Sequence, residues 1–134
     1  MEREVSEDKL REWLRKWQDI LRVQDWDVEI DYKRKWDMPL DNVGGACEML
    51  LSKRTAKISV LEPVDRDPGD WPFDPLEQLV IHECLHLHTD GMMLKKDGPA
   101  WTAMEQMVHS VARALYALGG ESEAPGDGGG KGVL

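Results

Sequence analysis

Five consecutive residues, His82-Glu83-Cys84-Leu85-His86, combine types and spacing that could do chemistry. On a helix, side chains four apart lie on one face, one turn above the other. His82 and His86 would then present two imidazole nitrogens to a single metal ion. Glu83 stands about 100° round the helix from His82. From there its carboxylate reaches a water on that ion without being a ligand. The pattern suits zinc-assisted hydrolysis with Glu83 as general base. Cys84, two residues past His82, points away from such an ion and is expected to fill core.

A catalytic zinc site has three protein ligands and keeps the fourth position for water. The candidates for the third ligand are His88, Asp90, Asp97, Glu105 and His109. His88 lies about 200° round the helix from His86, and Asp90 lies a full turn further along. Glu105 is favoured. It falls in a second helical segment, beside the apolar stripe that contains Trp101 and Val108, and a carboxylate against core needs a partner. His109 shares the face of Glu105, four residues on. It could orient a ligand, donate to substrate, or replace Glu105 as ligand. A tetrahedral oxyanion needs a donor besides the metal, and His109, Tyr32 and Tyr116 are the candidates.

These groups need a scaffold, and its elements are legible from spacing. Residues 6–22 predict an amphipathic helix. Ser6 is a good N-cap with Glu7 and Asp8 behind it, and Leu10, Trp13, Leu14, Trp17 and Leu21 form one stripe. Residues 26–32 alternate apolar and polar types, as a half-buried strand does. Residues 46–51 and 55–61 predict a hairpin around Ser52-Lys53-Arg54. Prolines at 63, 68, 72 and 75 make residues 62–75 a loop. Its aspartates 65, 67 and 70 lack calcium-loop spacing, and Trp71 could line a cleft. Asp74-Pro75-Leu76-Glu77 reads as a capped helix start, with the helix running to about Asp90. A last helix runs from near Pro99 to Gly119 or Gly120, with Trp101, Met104, Val108, Val111, Leu115 and Leu118 as its buried stripe. Residues 1–118 thus form one domain. The Gly-, Glu- and Pro-rich composition of 119–134 predicts a disordered tail.

The 134 residues carry 17 Lys and Arg against 26 Asp and Glu, a net charge of −9. An acidic chain lacks the basic face that direct nucleic-acid binding requires. No run approaches the roughly 18 apolar residues of a membrane span. Residues 1–8 show no apolar signal core. Cys47 and Cys84 fit no CxxC pattern and are expected as free thiols. The expected location is the cytoplasm, with no membrane contact.

With its motif and order of elements, the chain resembles the gluzincin branch of the zincin metallopeptidases, whose ligand set is two histidines and a glutamate. His82, Glu83, His86 and Glu105 match that pattern. The arrangement over about residues 6–118 is similar to small phage- or prophage-encoded metallopeptidase-like proteins. It is more distantly similar to the SprT-like and ImmA/IrrE-like groups. The resemblance implies a minimal α+β zincin-like fold: an N-terminal helix, a small mixed sheet of about three strands, the HExxH helix and a C-terminal helix. It implies Zn2+ as cofactor and a peptide or protein as substrate. The substrate would add to an edge strand, expected within 46–50. Gluzincins often carry an acidic residue four after the third ligand, bonded to a ligand histidine; His109 departs from this. The function expected is peptide-bond hydrolysis. The alternative is a non-hydrolytic zinc-binding module for regulation or protein interaction on the same scaffold.

Overall fold

The structure, a computed structural model, describes residues 5–40, 43–70 and 73–121. Three helices and three strands follow the order α1 (Glu7–Ile20), β1 (Asp27–Lys33), β2 (Gly45–Leu50), β3 (Thr55–Leu61), α2 (Leu76–Thr89) and α3 (Pro99–Gly119). The fold class is α+β, as expected.

Helix α1 starts where its cap dictates: the Ser6 hydroxyl accepts the Lys9 N–H at 3.0 Å. Leu10, Trp13, Leu14 and Trp17 are buried along one stripe. Gln18 is buried with them and fixes the exit of the helix. Its amide donates to the carbonyls of Val23 and Trp26 at 3.2 and 3.0 Å.

The sheet order is β1-β3-β2, with β1 parallel and β2 antiparallel to β3. The predicted hairpin is therefore β2–β3, and both outer strands are edges. Val28, Ile30 and Tyr32 of β1 and Ala56, Ile58 and Val60 of β3 face the helices. The other face carries Glu29, Lys57 and Glu48 in register across all three strands, as a face turned towards water should.

Helix α2 is packed on several sides, by α1, α3 and β2. Its buried residues include Val80, Ile81, Cys84, Leu85 and Leu87. Its start corrects the sequence reading. The helix begins at Leu76 with Pro75 at the cap, and no side chain caps it. Glu77 points inward instead. It is 0 % exposed and accepts from Lys16 Nζ at 2.9 Å, Trp17 Nε1 at 2.6 Å and the Glu121 N–H at 2.6 Å. A buried charge needs such a set of partners, and this one ties α1, α2 and the end of α3 together.

Helix α3 buries Met104, Val108 and Ala112, with Trp101, Val111 and Leu115 partly buried beside them. Leu118 departs from the expected stripe: it is 74 % exposed, while its neighbour Gly119 is the residue of the last turn set against Trp17 of α1. The chain remains attached beyond residue 118. Glu121 accepts from Trp13 Nε1 at 3.1 Å and Lys9 Nζ at 3.4 Å. The rest of the expected tail, 122–134, and Trp71 lie outside the described residues.

Candidate metal centre

The first two candidate ligands come from a partly buried strip of an otherwise buried helix. His82 and His86 stand one turn apart on α2, their ring centroids 5.1 Å apart. Helix α3 packs against α2 along this strip. Burial of Met104 and Val108 fixes its rotation and turns Glu105 towards both imidazoles. The Glu105 carboxylate stands 4.0 Å from His82 Nε2 and 3.7 Å from His86 Nε2. One ligand atom from each of the three residues lies within 4.8 Å of the others.

Ligand atoms on a tetrahedral zinc, at about 2.0–2.2 Å each, stand about 3.3 Å apart. Separations of at most 4.8 Å need to shorten by no more than about 1.5 Å to reach that spacing. The donor set, two neutral-capable imidazoles and one carboxylate, suits Zn2+ and also Co2+. The residues present therefore fit the ion.

A partner for His86 is present that the sequence reading weighed only as a ligand. Asp90 Oδ1 stands 3.0 Å from His86 Nδ1, and the buried Thr89 hydroxyl lies 3.3 Å from the same nitrogen. The carboxylate fixes Nδ1 as the protonated nitrogen and leaves Nε2, the one facing Glu105, free to bind an ion. The signal in the sequence was the i+4 spacing from His86 to Asp90, the same spacing that pairs His82 with His86.

Glu83 is 6 % exposed and lies under edge strand β2. Gly45 makes the room: a Cβ there would come within 3.3 Å of Glu83 Oε2. In the metal-free protein, burial raises the Glu83 pKa from 4.5 to about 7. The charge of His86 acts against this, and Glu105 and Asp90 add to it. Burial, then the neighbouring His86 and His109, lower His82 to about 4, so it is neutral and free to ligate near pH 7. For His86, burial favours the neutral ring, but the Asp90 hydrogen bond and the charges of Glu83, Asp90 and Glu105 outweigh it and raise the pKa.

The other candidates are placed away from the cluster or at its rim. His88 is turned towards α1, where its Nε2 meets the Leu21 carbonyl at 2.7 Å. The Tyr32 hydroxyl donates to the Val5 carbonyl at 2.8 Å, and that of Tyr116 to the Glu121 carbonyl at 2.7 Å. His109 is exposed, with its ring edge-on to His82 at 6.4 Å between centroids. Cys84 is fully buried in the core, and burial pushes its thiol up to about 12. Cys47 on β2 is also free, its thiol raised by burial and then by the charge of Glu83. Asp65 and Asp67 serve local structure: Asp65 clamps Arg34 and the Lys35 N–H, and Asp67 accepts the Gly69 N–H.

No helix among the described residues is long and apolar enough to cross a membrane. No protein-family model, curated protein or solved structure matches the chain.

Proposed function

We propose that this chain is a zinc-dependent peptidase acting in the cytoplasm, with His82, His86 and Glu105 as metal ligands and Glu83 as general base. The observation that carries the reading is the convergence of these three donors beside a buried carboxylate that belongs to none of them. A divalent ion held there supplies Lewis acidity to the scissile carbonyl and lowers the pKa of the attacking water.

The chain's own residues do the rest. Glu83 accepts a proton from the water as the O–C bond forms, and returns it to the amine nitrogen as the C–N bond breaks. One water is consumed, and a carboxylate and an amine result. Asp90 and Thr89 hold the His86 ring in place.

The two sheet edges differ in a way that suits an extended peptide. On β1, Glu7 accepts the outward N–H of Tyr32 at 3.0 Å, and acidic Asp27, Glu29 and Asp31 line the strand. Strand β2 pairs only with β3 among the described residues. A peptide added along β2 passes Gly45, directly over Glu83.

The test is cleavage of fluorescently quenched casein by zinc-loaded protein and by Glu83→Gln. Under this reading the wild type cleaves, and the variant keeps its zinc but loses at least about 100-fold in rate. Equal cleavage by both would contradict it. Full zinc binding by a wild type that cleaves nothing favours the non-hydrolytic module.

A further inference from the structure

Hydrolysis places negative charge on the carbonyl oxygen, and a donor preset at that position is worth more than one recruited from water. The metal can meet only part of this need. Among the described residues, the side chains with a free N–H or O–H near the cluster are few. Tyr32 and Tyr116 are engaged by Val5 and Glu121, and His88 by Leu21. The Thr89 hydroxyl is committed to His86 and Asp90.

His109 remains. It stands one turn beyond Glu105 on the same face of α3, at the open rim of the site. Neither of its ring nitrogens has a hydrogen-bond partner among the described residues. The His109 ring is exposed and stands 6.4 Å from that of His82, centroid to centroid, so it borders the cluster from the solvent side and can donate to a ligand oxygen there. The orienting role that an acidic residue at this position would serve is taken by Asp90, from the other helix.

We propose that His109 is the catalytic residue that hydrogen-bonds the oxyanion of the tetrahedral adduct. This rests on the peptidase reading and assigns it a transition-state donor. The same imidazole would bind other tetrahedral anions presented by a peptide-like ligand.

The test is a binding measurement. Zinc-loaded wild type, His109→Phe and His109→Gln are titrated calorimetrically with N-phosphoryl-leucinamide, a phosphoramidate whose tetrahedral group mimics the adduct. Zinc affinity is measured for the same three proteins by competition with a chelator. The expected result is a loss of about 100-fold in phosphoramidate affinity for His109→Phe, partial recovery for His109→Gln, and zinc affinity within about 3-fold of wild type for both variants. Undiminished phosphoramidate binding by His109→Phe overturns the assignment while leaving the peptidase reading intact. A zinc affinity reduced as much as in Glu105→Ala also overturns it, by making His109 a metal ligand. A folded wild type that binds no zinc, or binds zinc but no phosphoramidate, overturns the assignment and the peptidase reading together.

Discussion

Replacing Glu83 by Gln should stabilise the metal-free protein at alkaline pH, because the native carboxylate is buried where its charge is costly. Burial raises its pKa from 4.5 to about 7. An acid shifted upward binds more protons folded than unfolded between these values. The stability it contributes is therefore full below pH 4.5 and is lost as pH rises through 7. At 1.36 kcal/mol per pH unit, ionised Glu83 destabilises the metal-free fold by about 3 kcal/mol at pH 8. Gln has nearly the shape of the protonated acid and no such dependence. The assay is urea unfolding in the presence of a chelator at pH 4.5, 6 and 8, followed by the fluorescence of buried Trp13 and Trp17. Glu83→Gln should match wild type at pH 4.5 and exceed it by about 3 kcal/mol at pH 8. His82 acts in the opposite sense: its pKa is lowered to about 4, so its contribution is lost as pH falls from 6.5 to 4. That contribution is common to both proteins and largely cancels in the difference. A difference that vanishes at pH 8, or that grows towards acid, would refute burial as the cause. A variant both more stable and inactive would show a carboxylate retained for chemistry at the expense of the fold.

Three further outcomes follow from the packing. Asp90→Asn should weaken zinc binding by about 10–100-fold, since it removes the charged partner of His86 Nδ1; chelator competition reads this, and 15N chemical shifts of His86 should show the loss of a single tautomer. Glu77→Ala should destabilise the protein by about 3–5 kcal/mol in urea unfolding, because it leaves Trp17 Nε1 and the Glu121 N–H without their acceptor and Lys16 without its counter-charge. Leu118→Gln should change stability by less than about 0.5 kcal/mol, whereas Val108→Ala, at a fully buried position of the same helix, should cost about 2 kcal/mol.

The parts of the fold that local spacing determines were legible in the sequence. The Ser6 cap and the Leu10-Trp13-Leu14-Trp17 stripe define α1, and the alternation of Ala56, Ile58 and Val60 defines β3. The pairing of His82 with His86 follows from helical geometry alone, and the place of Glu105 beside a buried stripe is what sets it towards them. What local spacing does not contain are choices made by distant partners. Asp74-Pro75-Leu76-Glu77 has the composition of a cap, but Lys16, Trp17 and Glu121 draw Glu77 inward. Leu118 fits the stripe by period yet is exposed, whereas Ala112, outside the stripe as read, is fully buried. The parallel pairing of β1 with β3 joins strands with a hairpin arm between them in sequence, which no short-range pattern specifies. Asp90 carried a visible i+4 signal, but its role depends on which imidazole nitrogen faces Glu105.

The most direct test of the central claim is zinc stoichiometry and affinity, measured by mass spectrometry and chelator competition on tag-free wild type beside Glu105→Ala. The expected result is about one zinc per chain in the wild type, with binding lost or weakened by at least about 100-fold when Glu105 is removed. A folded wild type that refuses added zinc would contradict the metal centre, and undiminished binding in Glu105→Ala would contradict the assignment of its third ligand.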